Sequence, residues 1–342
     1  MLVNRFFQNI GLIKNQAPKI ASIKRDLLEG GNFEKHIYND VCQFKNGKGE
    51  MLQIEAKTID TIPNGRANKT IIAVSGAPGN HNDWKYILNH CIQNNYRLIC
   101  MNLPGFGSSG YSDKLTLCKK ERVNFIEAVI KERNVSIDKA ILLGHSRGTP
   151  TILKLAVKHK KDISGIILVN GLGVRPHRGF KPKWLFPTIS YIHQLSPQFI
   201  RNTILYPFVF KMYTILGLKT EDGLVAMNCL RSANEIDFQS NKENCQLLND
   251  ANLRILQLFG GKDWLIEKEI SLEFAKLFKD MVYLSTDKVN DDAIISLSVE
   301  DHFNHGKRAI SIRFEQDGHF INKFRSSFIA SSIDNIFKYS HK

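Results

Sequence analysis

Residues 138–155, DKAILLGHSRGTPTILKL, constrain the fold of this chain more than any other stretch. An apolar run, 140–143, breaks at Gly144-His145-Ser146-Arg147-Gly148, and apolar residues resume at helical spacing with Ile152, Leu153, Leu155 and Ala156. The pattern is a strand, a tight turn and a helix. Two glycines flank the serine because a strand that reverses sharply into a helix leaves no room for side chains beside the turning residue. Ser146 is then expected in a strained backbone, its hydroxyl held above the sheet edge. Peptide N–H groups at the helix start would face whatever that hydroxyl attacks. Pro150 fits this helix, because first-turn N–H groups have no intrahelical partner. An ordinary glycine-rich turn is the alternative; the flanking strand and helix speak against it.

The same alternation extends along the chain. Two β-like runs at 41–44 and 51–59, joined by Asn46-Gly47-Lys48-Gly49, read as a hairpin. Strand 70–74 is apolar throughout, as a parallel sheet covered on both faces demands, and it runs into Ser75-Gly76-Ala77-Pro78-Gly79. A helix at 82–93, strand 97–102, a helix at 116–133, the elbow strand and its helix, and strand 165–170 follow. Residues 171–250 interrupt the alternation, which returns with strand 253–259, a helix at 267–278, strand 309–314 and a closing helix at 322–339. The expectation is one α/β domain of 41–170 and 251–342 with a mostly parallel central sheet, an inserted helical cap at 171–250 and an N-terminal arm at 1–40.

Charge and cysteine content narrow the setting. Lys plus Arg number 47 against 33 Asp plus Glu, a net charge of +14, yet no nucleic-acid motif accompanies the excess, so no nucleic-acid partner is expected. The six cysteines are scattered without a CxxC pair and read as reduced, buried thiols of a cytoplasmic protein. Residues 1–25 are basic and free of acids, which makes a mitochondrial transit peptide the alternative. No run of about 18 apolar residues predicts a membrane-spanning helix.

A serine hydroxyl is a poor nucleophile until a base takes its proton, and that base is usually a histidine oriented by a carboxylate. Both are offered after strands. Gly260-Gly261-Lys262-Asp263-Trp264 follows one, and Glu315-Gln316-Asp317-Gly318-His319-Phe320 follows another. Carboxyl ends of parallel strands share one edge, so Ser146, Asp263 and His319 should converge there. For Asp263 the plainer alternative is a helix N-cap, and for His319 a surface loop.

With these motifs in this order, the chain resembles a serine hydrolase of the α/β-hydrolase fold superfamily over roughly residues 45–340, and is similar to an uncharacterised branch known mainly from nematodes. The resemblance implies an oxyanion hole from the N–H groups of Arg147 and Ala77. It also exposes departures. Ser75-Gly76 stands where relatives often have His-Gly, and Asn102 where they often have aspartate. The separation of 56 positions from Asp263 to His319 exceeds the usual spacing. The excess, around 280–308, is expected as a loop insertion, and Asp287 or Asp291 within it is the alternative acid for His319 should Asp263 not serve. His145 reads as a packed structural residue. The side chain of Arg147 either pairs with a carboxylate of the fold, the preferred reading, or orients an anionic substrate.

Two other motifs are discounted. Gly105-Phe106-Gly107-Ser108-Ser109-Gly110 matches a dinucleotide fingerprint, but Pro104 precedes it and no helix opens directly after it. His302 and His305 with Asp301 sketch a metal site, but no third convincing ligand accompanies them, so neither metal nor cofactor is expected. Finally, residues 163–220 contain no Asp or Glu, while seven Lys and Arg at 175–219 mix with nine aromatics. Aromatics over a catalytic edge suit an apolar acyl pocket; with cations they also suit peripheral contact with an anionic membrane. The expected activity is hydrolysis of a small-molecule carboxylic ester or thioester with an apolar acyl group. A non-catalytic lipid- or partner-binding protein of the same fold is the first rival, a nucleotide-dependent oxidoreductase the second.

Overall fold

The computed structural model describes residues 29–340, apart from Arg66 and Asn68. The transit-peptide question falls on residues outside that range. Among the described residues nine strands form one sheet: β1 (Ile37–Lys45), β2 (Met51–Asp60), β3 (Lys69–Val74), β4 (Tyr96–Met101), β5 (Ile141–His145), β6 (Gly165–Val169), β7 (Arg254–Gly260), β8 (Val282–Thr286) and β9 (Ala309–Phe314), in the order β1-β2-β4-β3-β5-β6-β7-β9-β8. The β1–β2 and β2–β4 pairs are antiparallel; every other pair is parallel. β1 begins at Ile37, so the last residues of the expected arm belong to the sheet.

Burial follows position. β5, β6 and β7 are buried at every residue because helices cover both faces, whereas the outermost strand β1 alternates buried and exposed. One face packs the helices Lys119–Glu132 and Thr149–Lys158, and the other packs Lys85–Gln93 and Ser326–Tyr339.

The region 280–308 corrects the sequence reading. It is not a loop but a strand and a helix: β8 at the sheet edge and Asp292–Asn304, whose Ile295, Val299 and Phe303 bury at four-residue spacing. Right-handed connections explain where it packs. The chain steps outward from β7 to β8 through Lys268–Ala275, whose Phe274 joins one core cluster. It then steps back to β9, and the returning helix must lie on the opposite face, where Val299 and Phe303 join the other cluster. β8 leaves no continuous apolar run in the sequence, because an edge strand needs only every second residue apolar and this one runs for five residues.

Between β6 and β7 the chain leaves the sheet through Leu185–Leu195, a continuous stretch of Gln198–Ile200, a π-turn Arg201–Leu205 and Tyr206–Ile215, then Gly223–Asn234 and Phe238–Leu247. The last of these packs on Thr149–Lys158 and buries Cys245 in the main core, so it belongs to the layer covering the sheet. No described helix is long and apolar enough to cross a membrane.

Candidate active site

Ser146 follows β5 with φ +48°, the left-handed backbone that a side chain adopts only under constraint. The constraint is steric. A Cβ on Gly148 would stand 2.4 Å from Val74 O and 2.7 Å from Ser75 O, so the turn is pressed against the end of β3 and only glycine fits. Thr149 Oγ1 donates to Ser146 O at 2.7 Å and holds the turn as the helix begins, with Pro150 in its first turn.

His319 arrives from the loop after β9 and Asp263 from the loop after β7. His319 Nε2 lies 2.9 Å from Ser146 Oγ, and His319 Nδ1 lies 2.8 Å from Asp263 Oδ2. All three side chains are buried. The same Asp263 oxygen accepts from Asn170 Nδ2 at 3.0 Å, and Oδ1 accepts from the N–H groups of Leu265 and Ile266 at 2.9 and 3.0 Å. Burial alone would raise the Asp263 carboxyl. The charge and hydrogen bond of His319, with the two peptide donors, outweigh it and hold the group below the usual carboxylate range. A carboxylate fixed in this way keeps the Nδ1 proton of His319 in place and leaves Nε2 free to accept from the hydroxyl.

Asn170 and His145 complete the support. Asn170 closes the buried run of β6 with φ +45°, and the sequence marked it only as the end of a strand. His145 Nε2 donates to the backbone carbonyl of His319 at 2.9 Å. Burial, with the neighbouring His319, pushes His145 down to about 3, so its ring is neutral and serves as a fixed peg for the His319 loop. His177, lowered to about 4 chiefly by burial, sets Nδ1 3.0 Å from Leu265 O and so touches the Asp263 loop.

The residues proposed for an oxyanion hole lie at the same edge. A Cβ on Gly76 would sit 3.1 Å from Ser146 Cβ, so the loop carrying Ala77 packs directly on the serine. Arg147 follows Ser146 in the turn.

Two readings need correction. Asp291 does not reach His319; it accepts from Arg325 Nη1 at 2.9 Å and from Thr286 Oγ1, while Asp287 is exposed. Arg325 also donates Nε to Asp317 Oδ2 at 2.9 Å, so the added strand and helix are tied to the loop that carries His319. They brace that loop rather than supply an acid. Nor does Arg147 pair with a carboxylate among the described residues: its Nη2 donates to Ser232 O at 2.6 Å, and Glu235, a nearby acid, is exposed. The Gly105–Gly110 loop closes on itself through Gly105 N to Gly110 O, and the next helix opens only at Lys119. Among the described residues no group of three or more His, Cys, Asp or Glu could hold a metal ion.

Comparison with known proteins matches this architecture. The model of a family described as alpha/beta hydrolase of unknown function (DUF1057) matches residues 34–338. An uncharacterized protein of Caenorhabditis elegans is 27% identical over 352 residues, covering 97% of each chain. Among solved structures, an esterase of Thermogutta terrifontis superimposes with a TM-score of 0.61 at 15% identity, over 89% of this chain and 100% of that one. An esterase of Exiguobacterium antarcticum gives 0.56 at 15%, over 87% and 99%. At these identities the structures speak for the fold.

Proposed function

From the premise that the chain belongs to the α/β-hydrolase family DUF1057, we propose that it is a serine hydrolase acting on carboxylic esters or thioesters with an apolar acyl group. The observation that carries this reading is the unbroken hydrogen-bonded line from Ser146 Oγ through His319 to Asp263. Ser146 Oγ attacks the carbonyl carbon while its proton passes to His319 Nε2. The carbonyl electron pair moves onto oxygen, which the Ala77 and Arg147 N–H groups hold. Collapse breaks the bond to the alcohol or thiol, which takes the proton from His319 and leaves an acyl-enzyme. Water, deprotonated by His319, then releases the acid. Asp263 orients the imidazole throughout and balances its charge. Burial of Ser146 and His319 keeps bulk water from this line.

In this reading residues 171–250, apart from the helix Phe238–Leu247 in the layer covering the sheet, serve as a cap over the edge, and their apolar residues suit an acyl chain. A second reading concerns the outer face of the same segment. Eight of the sixteen large apolar side chains exposed on the described chain lie within 184–210. Trp184, Tyr191 and Leu195 line one stripe of a helix; Phe199, Ile204 and Phe208 recur at five-residue and then four-residue spacing, one per turn through the π-turn. With no acid in 163–220 and Lys181, Lys183 and Lys211 exposed nearby, this face suits an anionic lipid surface. All six cysteines are free, which favours a reducing compartment such as the cytoplasm.

The test is labelling by a fluorophosphonate probe, which should modify the wild type and not Ser146→Ala. A folded wild type left unlabelled would refute the enzyme and favour a binding role for the fold. A series of esters of increasing acyl length then reads the pocket.

A further inference from the structure

Two arginines are buried side by side behind the nucleophile. Arg122, on the helix Lys119–Glu132, is 2% exposed, and Arg147, next to Ser146, is 4% exposed. Their only hydrogen-bond acceptors among the described residues are backbone carbonyls: Arg147 Nη2 donates to Ser232 O, and Arg122 Nη1 to Arg147 O at 3.5 Å. Nε and Nη2 of Arg122 and Nε of Arg147 have no partner among the described residues. Of the neighbouring carboxylates, Glu121 is committed to Thr116, Leu117 and Gly47, while Glu235 and Asp237, whose charges act on Arg147 and Lys119, are exposed and form no ion pair with them. A third cation closes the group. Lys119 Nζ donates to Ser240 Oγ and Asn241 Oδ1 at 2.8 and 3.1 Å, and burial chiefly lowers it to about 8, with Arg147 adding to the shift. No ion pair neutralises any of the three among the described residues. The helices Gly223–Asn234 and Phe238–Leu247 roof them over.

A buried guanidinium is normally matched by a carboxylate or a full set of acceptors, because unpaired burial of charge is costly. The pattern of free donors also selects the ligand. Nε–H and Nη2–H of Arg122 form the side edge of the guanidinium plane, two parallel donors spaced for the two oxygens of a carboxylate. A halide offers no such pair of acceptors. We infer that Arg122, Arg147 and Lys119 form a binding site for a carboxylate, held in the fork of Arg122 and flanked by the other two cations. Because Arg147 adjoins Ser146, this site borders the proposed reaction centre. The carboxylate comes either from a substrate or acid product bound there or from a separate small acid. The inference does not depend on the proposed hydrolysis.

The test is a thermal melt of the intact protein titrated with sodium acetate, with sodium chloride at equal ionic strength as reference. The expected result is a saturable rise in Tm with acetate beyond that with chloride. Arg122→Lys, which keeps the charge and removes the fork, should raise the half-saturating acetate concentration about tenfold, and Lys119→Gln should raise it less. If acetate also competes with a neutral ester in the hydrolysis assay, the carboxylate belongs to the substrate or product. Stabilisation without competition assigns it to a separate small acid. Equal effects of chloride and acetate, or a saturable acetate effect that survives unchanged in both variants, would overturn the site.

Discussion

Replacing Asp263 by asparagine changes one atom and almost no volume, yet it should nearly abolish turnover, and the hydrogen bonds around the carboxylate show how. Oδ1 accepts from two peptide N–H groups, Leu265 and Ile266, and Oδ2 accepts from His319 Nδ1 and Asn170 Nδ2. An asparagine has one acceptor oxygen for these two sides. Turning its NH2 towards the peptide donors would leave two buried N–H groups without an acceptor, at about 1–3 kcal/mol each. The oxygen therefore stays with Leu265 and Ile266, and the NH2 faces His319 and Asn170. His319 must then accept at Nδ1, which places its proton on Nε2, facing Ser146 Oγ. In that tautomer the ring cannot take the serine proton. The expected loss in kcat is about ten-thousand-fold, or about 5.5 kcal/mol of transition-state stabilisation. Hydrolysis of p-nitrophenyl butyrate reads the loss, and far-UV circular dichroism with a thermal melt confirms that the fold is retained. A folded Asp263→Asn protein with kcat within about tenfold of wild type would refute the tautomer argument and the role of Asp263 with it.

Gly148→Ala should lower stability by about 1–3 kcal/mol and slow fluorophosphonate labelling by about a hundredfold, because its Cβ would stand 2.4 Å from Val74 O; an unchanged melt would mean that the elbow is looser than described. Asp83 faces the Gly76–Gly79 loop, and burial raises its carboxyl to about 7. The unfolded chain loses this proton near pH 4 and the folded chain only near 7, so the stability it contributes is present below pH 4 and falls by about 4 kcal/mol at most as pH rises through that window. Asp83→Asn cannot ionise and should melt above wild type at pH 8 but not at pH 4; the same difference at both values would count against the shift. For the outer face of the cap, the wild type should sediment with phosphatidylglycerol-containing vesicles at low salt, and Leu195→Ser with Phe199→Ser should stay in solution. Wild type left in the supernatant, or paired copies in place of vesicle binding, would exclude a lipid surface.

The central strands were legible because each is buried on both faces and so leaves a continuous apolar run; β3, β4, β5, β6, β7 and β9 all lie within two residues of where such runs place them. β8 was not legible. Its inward residues alternate with exposed Tyr283 and Ser285, and five residues of alternation cannot be told from a loop. The same rule explains the site. Ser146, Asp263 and His319 each follow an apolar run in a glycine-bearing loop, so sequence order and one shared sheet edge bring them together.

What the sequence hid depends on partners that arrive from distant segments. Asn170 looks like the polar end of a strand, and only the return of β7 beside β6 brings Asp263 within 3.0 Å of it. Arg122 stands in the charged run Lys119-Lys120-Glu121-Arg122, which reads as a solvated helix start. It is buried because a helix more than a hundred residues later folds over it. Arg147 was expected to find a carboxylate, and it finds instead a second arginine and a peptide carbonyl. Local pattern thus identifies residues that a loop must present. Which buried charges are left unsatisfied emerges only once the roof is in place, and such charges are where a chain of this fold can add a ligand of its own.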